Sequence, residues 1–342
     1  MQNILFITSD FKYQGSLSKI KQSQNKFIQM VSNSSMDSGN AFFINSLKTI
    51  GNLSVVFGEE NAIKLISEHK FAIIGIDLKL FFSEVKLKSI DLLNSSGAKI
   101  ILYISSDGNF SKSFNISKIN DYLKLDAIFV TNLLKDLNEY NLESKVKNKM
   151  YSSFLGLGYL GVRYDTVSNN FINLPFSNDK YEKKYDVFFA GSINQSKKIR
   201  MDVISRLEKD KRVKNYNFFL KHFKIGDSSE PLNNREFYGK LKSSIICLDL
   251  SGQYDNLTMR FNEIILCGEL PVVDFGFKKF SVSTLYKDII DEIMFNNNDE
   301  LFNFINKYKD ERESERIKLE INNIFSQYYH PQIHGKYILS RI

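Results

Sequence analysis

The chain has 342 residues, 43% of them hydrophobic and 25% charged, with 29 Phe and 17 Tyr. Such a length suits two medium domains rather than one, and so much apolar surface excludes a disordered chain. The formal charge of +7 is compatible with phosphorylated ligands or an anionic lipid surface, while the lack of a compact Arg/Lys block or a known reader motif argues against nucleic acid as a partner.

The opening "NILFITSD" is a short apolar run ending in polar residues, which predicts the first strand of a parallel sheet. A polar stretch from about 12 to 40 leads to "SMDSGNAFFINSLKTIG", a helix capped by Asp37 or Ser38 and stopped by Gly51. The pattern then repeats. "LSVVFG", "FAIIGID", "KIILYISSD" and "DAIFVTN" read as strands, with "ENAIKLISEH" and "LKSIDLLNSSG" as helices between them. Alternating strands and helices imply βαβ units and a doubly wound parallel sheet. Polar residues close these strands, among them Asp10, Asp77 and Asp107, and open α/β sheets bind ligands beyond such ends.

After the loop-rich stretch around 156 to 184 a second series begins. "YDVFFAGS" is a strand that runs into a small-residue turn, and "KIRMDVISRLEKD" is a helix. "YNFFLKH", "IICLDLSG" and "LPVVDFG" are strands, alternating with helices over "NREFYGKLKSS" and "TMRFNEIILCG". The tail reads as helices, with "KYKDERESERIKLE" as a solvated face carrying i,i+4 pairs and a short last helix after Pro331. His330 and His334 are four apart, but Pro331 and Gly335 weaken a helical reading between them. No basic leader followed by an apolar run opens the chain, and no stretch reaches the ~18 apolar residues of a spanning helix. With Cys247 and Cys267 each in an apolar run, two buried free thiols and a cytoplasmic setting are expected. No His/Cys spacing suggests a metal site.

Two places carry candidate chemistry. Gly191 and Ser192 end a strand, where backbone N–H groups can approach a phosphate, and Arg200 follows on the next helix. No GxxxxGK[ST] or GxGxxG is present, so a plain βα turn is an equal reading. In "NLTMRFNEIILCGELPVVDF", Thr258 or Asn256 can cap a helix that Gly268 ends. Arg260 then sits in the first turn, where a phosphate would offset the unfavourable helix dipole, and Glu263 lies one turn on, suited to ribose hydroxyls. The plain alternative is an Arg260–Glu263 pair within the helix, worth a few tenths of a kcal/mol.

The stretch "MRFNEIILCGELPVVDF" resembles the [ST]xRxxEaxxxGxxPV element of GT-B glycosyltransferases, most of all the exostosin-like and CgeB-like groups. "FYGKLKSSIICLDLSG", "YDVFFAGSINQSKKIRMDVISRL" and "FSQYYHPQIHGKYIL" extend the likeness over about 185 to 340, and the N-terminal half matches in architecture only. The resemblance implies two facing Rossmann-like domains with a cleft between them. The N-terminal, acceptor-side domain would cover 1–165, the donor domain 166–325, and a C-terminal helix over 326–342 would pack back on the first. Gly191, Ser192 and Arg200 would line the donor's phosphate side. Arg260 would neutralise the leaving diphosphate and Glu263 would hold the ribose. Tyr238 and Lys242 would flank the base, and Lys221 and His222 would lie in the cleft. An inverting enzyme would take its general base from the N-terminal half, with Asp10, Asp37 and Asp107 as candidates by position; each also reads as a cap or turn former.

The implied activity is metal-independent transfer of a sugar from a nucleotide-activated donor to an acceptor hydroxyl. No cofactor is expected beyond the nucleotide sugar as substrate. The acceptor would be a glycan or a lipid-linked molecule in bacterial surface polysaccharide or glycoconjugate synthesis, at the inner face of the cytoplasmic membrane. Relatives often carry Ser/Thr-Pro before the Arg where this chain has "LTMR", and "CGELP" replaces a run of small residues, so donor preference does not carry over. Two other readings fit: a nucleotide-sugar epimerase on the same fold, and a non-catalytic sugar-nucleotide-binding scaffold subunit.

Overall fold

The computed structural model describes residues 2–8, 38–78, 88–104, 116–140, 142–153, 162–165, 170–173, 181–193, 197–224, 232, 234–252, 258 and 260–342. The chain divides into two compact units, Met1–Tyr159 joined by Tyr328–Ile342, and Leu160–Gln327.

The first unit is built on β1 (Gln2–Thr8), α1 (Ser38–Ile50), β2 (Gly51–Phe57), α2 (Glu59–Glu68), β3 (Ile73–Asp77), α3 (Ile90–Ser95), β4 (Lys99–Ile104), α4 (Ile116–Tyr122), β5 (Ala127–Val130) and β6 (Met150–Ser152). The six strands are parallel, in the order β2-β1-β3-β4-β5-β6. Its inner strands read as continuous apolar runs because both faces of the sheet are covered. Successive side chains alternate between two layers. Leu5, Ile7, Ile74, Ile76, Leu102 and Ile128 pack with Ala62 and Ile66 of α2 and Ile116 and Ile119 of α4. Ile4, Phe6, Ile101, Tyr103 and Phe129 form the other layer with Phe43, Ile44 and Leu47 of α1. Tyr103 stacks on Phe43 at 4.1 Å. Gly51 does not cap α1 with a left-handed residue; it begins β2, and a Cβ there would strike the Gln2 carbonyl oxygen and Ile4.

The second unit opens with an antiparallel pair, β7 (Val162–Asp165) and β8 (Asn170–Asn173), inside the stretch that reads as loop in the sequence. Its main sheet comprises β9 (Tyr185–Ile193), β10 (Phe218–Lys224), β11 (Ser244–Asp249), β12 (Pro271–Asp274) and β13 (Met294–Phe295), all parallel in the order β10-β9-β11-β12-β13. The helices are α5 (Lys198–Lys209), α6 (Asn234–Lys242), α7 (Arg260–Leu266), α8 (Asn298–Tyr308) and α9 (Glu311–Tyr328). Gly268 ends α7 as its sequence predicts, with φ of 73°, a conformation that costs glycine nothing. The charged run on α9 is not wholly solvated. Lys318 reaches the buried Glu269 (3.4 Å), which Lys183 also meets (2.6 Å), and Arg316 bonds Glu292 (2.5 Å) as well as its i,i+4 partner Glu320 (2.9 Å). A buried carboxylate needs counter-charge, and long cationic side chains supply it from the helix surface. Both cysteines are free and buried. Among the described residues no helix is long and apolar enough to cross a membrane.

The chain returns to the first unit with α10 (Pro331–Leu339), which packs along α1. The helix runs through both residues that weaken it in the sequence. Pro331 occupies its first turn, and the His330 ring accepts from the Gln332 N–H at 3.3 Å as a cap. Gly335 allows close approach, since a Cβ there would lie 2.6 Å from the Ser46 carbonyl oxygen. His334 is fully buried, stacked on Phe42 at 4.9 Å. Its Nδ1 lies 2.9 Å from Ser46 Oγ and its Nε2 3.3 Å from Ser153 Oγ. The Ser46 hydroxyl proton goes to the Phe42 carbonyl at 2.7 Å. Ser46 Oγ therefore accepts from Nδ1–H, and Nε2 accepts from Ser153.

Burial drives the His334 pKa down to about 3. The ring is neutral in the fold and takes up a proton on unfolding below its ordinary value near 6.5, so its contribution to stability is present above that value and fades as pH falls towards 3. The melting temperature of the native protein should exceed that of His334→Phe at pH 7, and the gap should shrink on acidification to pH 5. A gap that is constant across that range would contradict the assignment.

Candidate functional site

Strand order fixes where a ligand belongs. From β9 the second sheet grows to β10 on one side and to β11 on the other, so its winding reverses between β9 and β11. The crevice at the carboxyl ends of two such strands is the binding place of open α/β sheets. Here the two strands part. The register of β9 with β11 stops at Phe188 opposite Cys247, whereas β9 stays paired with β10 as far as Ile193 opposite Lys224.

Arg200, in the first turn of α5, spans the gap. Its Nη1 donates to the Ser192 carbonyl at 3.0 Å and its Nη2 to the Leu250 carbonyl at 2.6 Å. The side chain is buried, with the guanidinium carbon 5.7 Å from the Phe189 ring centroid. Burial lowers its pKa to about 10; Arg260 pushes the same way, while Asp249 and Asp274 pull back. Arg200 is thus a charged tie between strand ends. Gly191 and Ser192 lie within β9, opposite His222 and Phe223, and not in a turn beyond it. The strand continues because β10 extends to the same level. A Cβ on Gly191 would stand 3.3 Å from Arg200 Nη1, so the glycine makes room for the guanidinium. Ser192 Oγ meets the Lys197 ammonium.

Two buried carboxylates face this cation from the ends of β11 and β12. Asp274 accepts from Ser251 N (2.5 Å), Ser251 Oγ (2.7 Å) and Gly276 N (2.8 Å), which fixes the turn after β12. Burial raises its pKa against those bonds. Burial also pushes Asp249 up to about 7, against the pull of a Thr258 hydrogen bond and of Arg200. Sequence reasoning passed over both. The available signal was the polar residue closing an apolar strand in "CLDL" and "VVDF", the same sign that marks Asp77 in the first half.

Thr258 caps the next helix, its Oγ1 accepting from Arg260 N at 3.1 Å; Asn256 lies outside the described residues. Helix α7 is held by Phe261, which packs against Phe277 and Tyr286 with centroids 5.3 and 5.2 Å away. Arg260 opens α7 and is partly exposed. Its Nε lies 3.3 Å from Oε2 of the buried Glu263, so the intrahelix pair exists. Its guanidinium carbon lies 4.1 Å from the ring centroid of Phe237 on α6, a cation–π contact between two helices. Its Nη1 is buried and has no hydrogen-bond partner among the described residues.

Gly191, Ser192, Arg200, Arg260 and Glu263 are therefore gathered around the carboxyl ends of one sheet. Lys221 stands in the middle of edge strand β10, opposite Ala190, and the neighbouring His222 pairs with Glu208 of α5 at 2.7 Å. Tyr238 is buried in α6, its ring edge-on to Phe237 at 5.0 Å. Lys242 is buried at the end of α6 just before β11 begins, with its ammonium over the Tyr181 ring. That is the amino end of the strand, away from Asp249. Asp10, Asp37 and Asp107 lie outside the described residues. Among the described residues no group of three or more His, Cys, Asp or Glu could hold a metal ion.

No family model matches the chain, and no curated protein matches it. Solved structures do. A glycosyltransferase from Rickettsia africae ESF-5 is similar at a TM-score of 0.55 and 10% identity, over 99% of this chain and 97% of that one. HepE from Anabaena in complex with UDP and glucose is similar at 0.52 and 10%, over 99% of each chain. HepE in complex with UDP-glucose gives 0.53 and 9%, again over 99% of each. The fold is of the GT-B type. At such identities the likeness is one of fold, and the chemistry must come from the side chains.

Two outcomes follow from the buried charges. Asp249 has a raised folded pKa, so its protonated form stabilises the fold fully below about 4 and that contribution is lost as pH rises through about 7. Asp249→Asn should accordingly gain in melting temperature relative to the native protein as pH rises from 4 to 8. Arg200→Leu should lower unfolding free energy by about 1–3 kcal/mol for each strand-end carbonyl left buried and unpaired, read by denaturant titration.

Proposed function

We propose that the chain transfers a glycosyl group from a nucleotide-activated donor to an acceptor hydroxyl. The observation that carries this reading is Arg260: a guanidinium at the carboxyl ends of a GT-B donor-type sheet, oriented by Phe237 and Glu263, with a buried Nη1 left unpartnered among the described residues. Arg200 also has a buried unpartnered nitrogen, its Nε, but its terminal pair is taken by carbonyls; a terminal donor of Arg260 without an acceptor calls for an explanation that a bound ligand supplies, and guanidinium groups suit diphosphates.

In this reading the donor's diphosphate lies against Arg260 near the ends of β9 and β11, with Gly191 and Ser192 on its phosphate side, Glu263 at the ribose and Tyr238 towards the base. Arg200 shapes the floor by holding Ser192 and Leu250 in place. As the glycosidic bond to the leaving phosphate breaks, negative charge grows on the diphosphate oxygens. A preorganised guanidinium in a poorly solvated place stabilises that charge most when it is fully developed, which is what lowers the barrier. A general base from the N-terminal unit, with Asp10, Asp37 and Asp107 as candidates, takes the acceptor proton in an inverting reaction. Because HepE is seen with UDP and UDP-glucose, UDP is the nucleotide to try first. On the motif "MRFNEIILCGELPVVDF" we place the chain nearest the exostosin-like and CgeB-like groups. The remainder of the proposal is metal-independent catalysis, a role in bacterial surface polysaccharide or glycoconjugate synthesis, and peripheral contact with an anionic membrane on the strength of the +7 charge.

Thermal-shift measurements against nucleotides and nucleotide sugars test the donor site. A ligand of the native state at a hundred times its Kd adds about 2.7 kcal/mol of stability, and the shift should vanish in Arg260→Ala and Glu263→Ala. Transfer by Arg260→Ala should fall by about 10²–10³ in kcat, the range found when one charge-stabilising donor is removed. Excess EDTA should leave transfer unchanged. Equal nucleotide binding by native protein and Arg260→Ala would remove the basis of the reading.

A further inference from the structure

The donor reading explains Arg260 but leaves Asp249 without a task. This carboxylate is 4% exposed, and burying it is costly unless something in the structure requires it. Four groups face it: Arg200 from α5, Asp274 from the end of β12, Arg260 from α7, and Thr258 just before α7. Arg200 does not hold it by hydrogen bonds, because both terminal nitrogens of that guanidinium go to backbone carbonyls. Asp274 is occupied with Ser251 and Gly276. Among the described residues the one hydrogen-bond partner of Asp249 is the Thr258 hydroxyl.

That hydroxyl has a single proton. Its oxygen accepts from the Arg260 N–H, so its proton goes to Asp249, and an ionised carboxylate can only accept. With Asp249 ionised the polarity of the line is fixed: Arg260 N–H to Thr258 Oγ1, Thr258 O–H to Asp249 Oδ1. We propose that Asp249 is a positioning residue for Arg260, acting through Thr258 to fix the first turn of α7 so that the guanidinium is already in place when the donor's diphosphate arrives. The proposal rests on the reading of Arg260 as the diphosphate ligand. It adds the third anchor of that side chain. Phe237 sets the plane of the guanidinium, Glu263 holds its Nε edge, and the Asp249–Thr258 line fixes the backbone from which it extends. The line also connects the strand end to the helix start, so the anchor for Arg260 is the sheet itself. A carboxylate suits this place better than a neutral acceptor because a charge-assisted hydrogen bond is shorter and about twice as strong.

The test uses the full chain, with UDP and inorganic pyrophosphate as calorimetric probes and hydrogen exchange at the Arg260 amide as a readout independent of ligand. Thr258→Val and Asp249→Ala should each weaken both probes by about fivefold, the loss of one helix cap converted to affinity, and should speed exchange at the Arg260 amide. Thr258→Ser restores the hydroxyl and should behave as native. Asp249→Asn keeps an acceptor without the charge and should fall between. Native-like binding and exchange in Thr258→Val and Asp249→Ala, alongside lost binding in Arg260→Ala, would overturn the positioning role and leave the donor reading intact. Native-like binding in Arg260→Ala, or no uptake of either probe by the native protein, would overturn the donor reading and this proposal with it. Loss of binding in Thr258→Ser as severe as in Thr258→Val would also overturn it, because the hydroxyl would then not be the group that matters.

Discussion

The guanidinium of Arg200 bridging Ser192 and Leu250 is the contact on which the second unit's carboxyl-end geometry depends. A doubly wound sheet must separate its two central strands where the winding reverses, and the separated ends expose carbonyls that no neighbouring strand can satisfy. A planar fork of donors answers that need from one side chain. The remaining choices follow from it. A buried cation requires anionic neighbours, and Asp249 and Asp274 stand at the next two strand ends. The fork needs space beside β9, and Gly191 leaves it.

The first unit has the same central order, with β1 between β2 and β3, and meets the same constraint differently. There the Thr8 hydroxyl donates to the buried Asp77 carboxylate at 3.0 Å, bridging the ends of β1 and β3. A hydroxyl–carboxylate bridge is shorter than an arginine bridge and suits strands that stay paired up to Ile7 opposite Ile76. This sheet takes its covering from elsewhere: α10, the last helix of the chain, lies along α1 with the neutral His334 between Ser46 and Ser153. The first unit is therefore completed by residues remote in sequence, whereas the central sheet of the second is drawn from one continuous segment.

The strands and most helices were legible because buried parallel strands leave uninterrupted apolar runs bounded by small and polar residues, and "KIILYI" or "AIFV" admit few other readings. Helix boundaries were legible where chemistry is local, as at Thr258 and Gly268. What escaped was set by distant partners. Nothing in "AGS" shows that β10 extends far enough to keep Gly191 and Ser192 paired. The charged face of α9 looks solvated until Glu269 is found beneath it, 49 residues away from Lys318 in sequence. Pro331 and Gly335 looked like helix breakers, yet one sits at a position that lacks a partner anyway and the other is where α1 comes close. The arginine of the site could be picked out by its place in the motif, but its orienting partner Phe237 lies in another helix.

The charges at the site decide how it can bind an anion at all. Among the described residues Lys197, Arg200 and Arg260 stand against Asp249, Glu263 and Asp274, so with all three carboxylates ionised these charges cancel and do not by themselves draw a diphosphate in. Selectivity for an anion must then come from how the opposite charges are engaged. The Asp274 carboxylate is turned inward onto Ser251 and Gly276, and Asp249 onto Thr258. Arg200 faces backbone carbonyls. Arg200 and Arg260 each keep one buried nitrogen without a partner among the described residues, Nε and Nη1 respectively, but both terminal nitrogens of Arg200 are taken by carbonyls, so the free terminal donor is that of Arg260. A site of this kind discriminates by unmet hydrogen-bonding capacity more than by field strength, and its affinity should depend less on salt than that of a surface lysine patch. The balance is also adjustable. Asp249, pushed up to about 7 by burial, lies close to half-protonation at neutral pH. An arriving diphosphate adds negative charge nearby and favours the protonated form, while the Thr258 hydrogen bond, Arg200 and Arg260 favour the ionised one, so the line from Asp249 to Arg260 stays charge-assisted only as far as those three outweigh the ligand.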